Sequence, residues 1–238
     1  NEISEAVRRG TLTGEGGAWD LISKRVGSVP AYSDFFIDIY DHIEVAKDIK
    51  FTDISNAVAA FMEFEWRSDT SPFDDFLEGK LNLNISQENG MELFYGKANC
   101  SSCHAGALFT DHQFHATGQP QVGPGKAARF QSHSRDLGRF RVTGNIKDKY
   151  AFRTPSLRNV ELTGPWGHAG AYNELEAFLG AHIDPYLALS NYDKSNVTLT
   201  KYDTNDWKIM DDASEVKAIA DAISIKPVII SEGEVTDL

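Results

Sequence analysis

Apolar residues recur at three- and four-residue steps over residues 32–47, at Phe35, Phe36, Ile39, Ile43 and Ala46. The pattern resumes from Ile54 through Val58, Phe61 and Met62 to Glu65, after a Thr52-Asp53 cap. This period predicts two packed helices, each with one buried face. A short helix is expected at residues 73–77, and residues 81–85 lead into a further helix. Ser86 is placed as its cap, with Met91, Leu93, Phe94 and Ala98 on the apolar side running up to Cys100. Residues 173–181 and 211–223 also read as helices, and residues 190–210 as a polar loop.

Two stretches break the pattern. Residues 1–30 are polar and interrupted by Gly10, Gly14, Gly16, Gly17 and Gly27, which predicts a tether with one or two helical turns. Residues 105–150 are rich in Gly, His, Gln and Arg, with no sustained period, and are expected to form long loops with a short strand pair. Loops of that length need a cofactor or a function to order them. No internal repeat or low-complexity tract is visible.

At 238 residues, 41% hydrophobic and 11% aromatic, the chain can bury a real core, as one large domain or as a smaller one with an extension. Its formal charge of −12 argues against nucleic acid and anionic membranes, and suits a basic or dipolar protein partner. No apolar run approaches the roughly 20 residues of a membrane span, and Asn1 does not open a signal-peptide pattern.

The chemistry concentrates in Cys100-Ser101-Ser102-Cys103-His104, which holds the only two cysteines. Cys-x-x-Cys-His is the pattern that fixes a c-type haem by two thioethers and an axial histidine. A redox dithiol would not need the histidine, and a structural zinc site would need a fourth ligand at finger-like spacing that is missing. Because covalent haem attachment takes place outside the bacterial cytoplasm, a periplasmic or otherwise exported protein is expected, its leader removed.

What lies on the other face of the iron sets the chemistry. Methionine raises the potential, histidine lowers it, and an open position invites peroxide or dioxygen. Met62 and Met91 lie on apolar helical faces as core filler, and Met210 precedes Asp211 and Asp212 at a helix start. His42 reads as a solvated or half-buried helical residue, and His112, His115 and His133 lie in polar loops. The residues themselves leave the choice between His168, in the constrained loop Gly164-Pro165-Trp166-Gly167-His168-Ala169-Gly170, and His182, on a helix with Leu175, Phe178 and Leu179.

Over about residues 30–238 the chain resembles the C-terminal haem domain of bacterial di-haem cytochrome c peroxidases and MauG-like enzymes. The resemblance rests on Cys100 to Gly106, Phe109-Thr110-Asp111, Phe114-His115, Phe152 to Val160 and Leu162 to Gly170, in that order. It implies a mainly α fold, a c-type cytochrome domain with long haem-wrapping loops, within a two-domain architecture. Residues 1–30 would be a linker and residues 31–238 the electron-transfer haem domain, truncated at both ends relative to a full protein. In the family the distal ligand lies about fourteen residues beyond the loop histidine, which lands on His182 and leaves His168 between the haems. Family members carry methionine or tyrosine there, so this chain resembles a bis-histidine variant of lower potential.

The resemblance further implies calcium held by the backbone carbonyls of Thr163 and Pro165, Arg158 near a haem propionate, and Trp166 covering the haem edge or assisting electron transfer. Only one Cys-x-x-Cys-His is present, so a second, peroxide-reactive haem c is expected in an N-terminal domain outside this sequence. If Asn1-Glu2-Ile3 matches the family's Asn-x-x-Glu-Met region, Glu2 is the distal acid of that second pocket, with Glu5 the neighbouring candidate. The chain ends on Glu234 to Leu238, which resembles the opening turn of the family's last helix. The implied partners are a small electron donor of cytochrome c or cupredoxin type, the missing haem domain, and a second copy in a homodimer. The implied activity is relay of electrons to the peroxide-reactive haem. The alternatives are MauG-like oxidation of side chains in a partner protein, or a mono-haem electron carrier.

Overall fold

A computed structural model describes residues 1–123, 133–199 and 205–238. The chain divides into two compact units, Asn1–Asp69 and Thr70–Leu238. The boundary therefore differs from the expected division at 30/31.

The first unit holds α1 (Glu2–Arg8), α2 (Ala18–Gly27), α3 (Pro30–Ile39) and α4 (Phe51–Glu65). The expected tether is thus two helices, with Gly10, Gly14 and Gly16 at positive φ in the connection between them. Asn1 caps α1 by accepting the Ser4 N–H, and Trp19 of α2 stacks on Phe51 with ring centroids 4.2 Å apart. Gly27 is required for packing, since a Cβ there would lie 2.8 Å from the Ala46 carbonyl oxygen. Helix α3 stops at Ile39 instead of running on to 47. Ile43 still reaches the core, but from a turn in which its N–H donates to the Tyr40 carbonyl. Buried Asp53 ties that turn down, accepting from the Lys50 N–H at 2.8 Å and pairing with His42 at 3.1 Å. Asp53 therefore stands one turn inside α4, whose cap is Lys50 and not Thr52-Asp53.

The second unit holds α5 (Pro72–Leu77), α6 (Ile85–Tyr95), β1 (Phe114–His115), α7 (Phe140–Thr143), β2 (Phe152–Arg153), α8 (Leu175–Ile183), α9 (Pro185–Ser190), α10 (Ala213–Asp221) and α11 (Glu232–Asp237). Strands β1 and β2 pair antiparallel, with Phe114 opposite Arg153 and His115 opposite Phe152. One core gathers Tyr150, Leu189, Ile209 and Ile219, with Met210 packed against it. A second gathers Ala171, Tyr172 and Ala181, with Trp166, Phe178 and Tyr192 around them. The predicted loop region 105–150 carries only β1, the single turn of α7 and a 3-10 turn at 146–148 among its described residues, and 124–132 lie outside them.

Helix α6 is capped by Asn84, whose side chain accepts the Gln87 N–H, and not by Ser86. Ser86 instead donates to the Asp237 carboxylate, joined there by Asn89 at 3.1 Å, so the start of α6 grips the end of α11. Lys97 closes the other end with Glu234 at 2.6 Å and holds that carboxyl down to about 2. Gly90 makes the approach possible, because a Cβ there would fall 2.0 Å from the Asp237 carbonyl oxygen. Gly90→Ala is accordingly expected to cost about 1–3 kcal/mol, read as a lowered melting temperature with hydrogen-exchange protection lost first in α11. The Glu234 contribution is present above the ordinary carboxylate range and lost as pH falls from about 4.5 toward 2. The same helix should therefore lose protection in acid without any mutation. Equal protection of α11 in wild type and Gly90→Ala would refute this account of its docking.

Candidate functional site

After α6 ends at Tyr95, Asn99 adopts a left-handed conformation (φ 57°) and turns the chain into a 3-10 turn, Cys100–Ser102. The N–H groups of Cys103 and His104 both return to the Cys100 carbonyl, at 3.2 and 2.9 Å. Two half-buried thiols and an imidazole thus leave one tight turn, and burial pushes the Cys100 thiol pKa up.

His104 is oriented by its own loop. Its Nδ1–H donates to the Phe109 carbonyl at 3.1 Å, so the Nε2 lone pair is the one left for a metal. Phe109 sits at φ 50°, its ring tilted against Phe73 of α5 at 6.0 Å and edge-on to Phe94 of α6 at 6.2 Å. Burial lowers the His104 pKa more than the Phe109 and Pro155 carbonyls raise it, which favours the neutral, ligating form.

His182 repeats this arrangement from another element. On α8 its Nδ1–H donates to the Phe178 carbonyl one turn back, at 3.1 Å, and the Phe178 ring stands edge-on at 4.6 Å. Burial lowers its pKa, and the nearby His104 imidazole lowers it further. Two imidazoles 78 positions apart in sequence, each held through Nδ1 by a backbone carbonyl, are thus close enough for His104 to lower the His182 pKa. His168 is used elsewhere: it pairs with Asp136 at 2.9 Å and stacks on Phe152 with centroids 3.5 Å apart. Met210 packs on the Tyr150 core cluster and Met62 belongs to the first unit. The residues fit a c-type haem by donor chemistry: two free thiols for thioethers, and two imidazoles held in the tautomer that coordinates iron.

Arg158 is tied to protein. Its Nη1 donates to Asp74 at 2.6 Å, its Nε to the Ala107 carbonyl at 2.9 Å, and its guanidinium carbon lies 5.5 Å from the Phe109 ring centre. Asp74 is also gripped by Ser71 in the capping box that starts α5, and the Arg158 bond holds its carboxyl well below the usual carboxylate range. Trp166 donates from Nε1 to the Val160 carbonyl at 2.8 Å and packs on the Ala171–Tyr172–Ala181 cluster. Thr163 and Pro165 are exposed in the same loop. Backbone carbonyls are hard oxygen donors of the type calcium accepts, but two complete no cage on their own. Glu2 belongs to the first unit, exposed and paired with Arg25 at 2.7 Å, and Glu5 is paired with Arg9.

Two features escaped the sequence reading. Asp111 and His115 form a pair at 2.8 Å, and with the Cys103 sulfur their donor atoms lie within 4.8 Å of one another. Burial raises the Asp111 pKa, but hydrogen bonds from His115, Gln113 and Thr154 outweigh it and hold the carboxyl at about 2. The other is Asp74 as the partner of Arg158. A signal existed for it, since Ser71-Pro72-Phe73-Asp74 has capping-box spacing with proline at the first helical position.

The family model for di-haem cytochrome c peroxidase matches residues 7–82. Cytochrome-c peroxidase IdrP1 of Pseudomonas sp. (strain SCT) is 31% identical over 198 residues, covering 74% of this chain and 50% of that protein. The methylamine utilization protein MauG of Methylorubrum extorquens is 34% identical over 167 residues, covering 69% of this chain and 43% of that one. Among solved structures, a MauG-like protein associated with microbial copper homeostasis superposes with a TM-score of 0.62 at 25% identity, over 98% of this chain and 65% of its own. The chain spans about half the length of the curated relatives it matches. Among the described residues, no helix is long and apolar enough to cross a membrane.

Proposed function

The chain belongs to the di-haem cytochrome c peroxidase family, and from that premise we propose that its second unit is the electron-transfer haem domain of a peroxidase-type oxidoreductase. The observation that carries this reading is the His104–His182 pair, each imidazole fixed through Nδ1 to a backbone carbonyl with Nε2 left to ligate. A covalently held haem supplies reversible one-electron chemistry. Cys100 and Cys103 would tether it, and His104 and His182 would supply its two remaining iron ligands. With both bound, peroxide has no place on this iron, so its reduction to water belongs to a second haem outside this sequence.

The net charge of −12 favours a basic or dipolar electron donor, of cytochrome c or cupredoxin type. Thr163 and Pro165 offer carbonyls to a calcium ion completed by ligands from outside this chain, and an exported, periplasmic location follows from covalent haem. A second reading, oxidation of side chains in a partner protein, is favoured by the likeness to MauG at 34% identity, beside 31% for the peroxidase IdrP1. Haem stain and intact mass of the native polypeptide, read with low-temperature EPR, test the proposal. Two covalent haems, one low-spin and one peroxide-reactive, are expected, with turnover of peroxide by a small donor favouring the peroxidase over the protein-oxidising reading. A single low-spin haem inert to peroxide would sink both and leave an electron carrier.

A further inference from the structure

We propose that the Asp74–Arg158 pair is a positioning brace for the axial histidine, setting the hydrogen bond at His104 Nδ1 and through it the reduction potential of the haem. The inference rests on the reading of His104 as an iron ligand.

Two contacts from Arg158 converge on the loop of residues 105–109, whose own hydrogen bond orients His104. Its Nε donates to the Ala107 carbonyl at 2.9 Å, its guanidinium lies over the Phe109 ring at 5.5 Å, and the Phe109 carbonyl is the acceptor for His104 Nδ1–H at 3.1 Å. The other end of the brace is anchored in α5. Asp74 takes Arg158 Nη1 at 2.6 Å and is itself fixed by the Ser71 hydroxyl at 2.7 Å and the Ser71 N–H at 3.0 Å. Phe73, its neighbour, meets the same Phe109 ring from α5. The pair is well covered, with only 17% of the Arg158 and 13% of the Asp74 side chain exposed. A planar fork can serve a carboxylate and a carbonyl at once, which a single ammonium cannot.

The outer partner of a ligating histidine sets ring orientation and ligand basicity. A firm Nδ1–H bond to Phe109 makes the imidazole a stronger donor to iron and lowers the potential. Asp74 and Arg158 are opposite in charge, so the brace acts through geometry and not through a net field on the haem.

The test uses the haem-loaded chain, comparing wild type with Arg158→Lys, Asp74→Asn and Ser71→Ala by mediated redox titration and low-temperature EPR. Lysine keeps the charge but not the fork. Arg158→Lys and Asp74→Asn are both expected to raise the reduction equilibrium by a factor of about ten, which is about 59 mV for one electron, with displaced low-spin g values. Ser71→Ala, the mildest change, should move the same way by less. An unchanged potential and EPR spectrum in Arg158→Lys would overturn the brace and leave the pair a purely structural contact. A shift in Asp74→Asn with none in Arg158→Lys would mark a plain charge effect, since only the first removes a charge, and would overturn it as well. A wild-type chain with no low-spin haem would overturn instead the ligand reading on which the brace depends.

Discussion

His182→Ala is expected to turn the haem of this chain from low-spin and six-coordinate to high-spin, with the optical and EPR signature of an open axial position. The substitution removes an imidazole whose Nδ1 is fixed to Phe178 and whose pKa burial has lowered, so nothing of equal basicity is left on α8. His168 cannot easily take its place, being paired with Asp136 and stacked on Phe152. Added imidazole should restore the low-spin spectrum, since the deletion leaves room for the missing ring. The open iron should also acquire a peroxide response that the parent lacks. His182→Met should stay low-spin with a raised potential. A His182→Ala haem that remained low-spin without added ligand would place the sixth ligand elsewhere, and the relay reading would lose its main support.

The two axial positions were not equally legible in sequence. Cys100, Cys103 and His104, the residues proposed to hold the haem, stand out in sequence because thioether attachment and ligation from the same turn need adjacent residues, and adjacency is what sequence displays. The distal ligand is a tertiary property. Residue types alone left His168 and His182 open, and only the fourteen-residue step taken from family resemblance separated them. In the structure the difference is one of hydrogen-bond partners: a carboxylate holds His168, a helical carbonyl holds His182.

Helical period also misled where composition or a side-chain contact overrode it. The glycines of residues 1–30 suggested a tether, yet Gly17 caps α2 and Gly27 ends it, while those at positive φ are confined to the turn between α1 and α2. The apolar steps through Ile43 and Ala46 suggested one long helix, but Asp53 draws in His42 and the Lys50 N–H from outside α4 and leaves a turn there. Asp74 and Arg158 stand 84 positions apart. Asp74 drew no notice in the sequence and Arg158 was expected near a haem propionate, and only the fold makes them a pair.

Ile219→Ala should be the most destabilising single truncation in the second unit, at about 2–5 kcal/mol. Ile219 is 1% exposed on α10 and packs with Tyr150, Leu189 and Ile209, so its removal leaves a cavity among side chains from several separate segments. The end of α10 is strapped to the chain after β1, with Ser224 N–H donating to the Ala116 carbonyl at 2.9 Å, which limits collapse into the void. At roughly 2–4 °C per kcal/mol for a chain of this size, the melting temperature should fall by about 4–20 °C. Ile219→Val, which deletes one methyl, should cost only about 0.5–1.5 kcal/mol. The cavity also bears on the haem site, because Leu189 belongs to α9, and α9 packs on α8, the helix that carries His182. The low-spin signal and the helical signal should therefore melt together in Ile219→Ala, as one cooperative unit. Loss of the low-spin signal well below the helical transition would show that α8 is held by its own short cluster around Tyr172 and not by this core. A cost below about 1 kcal/mol, small beside the 2–5 kcal/mol usual for such truncations, would show that the cavity closes and that the core lies elsewhere.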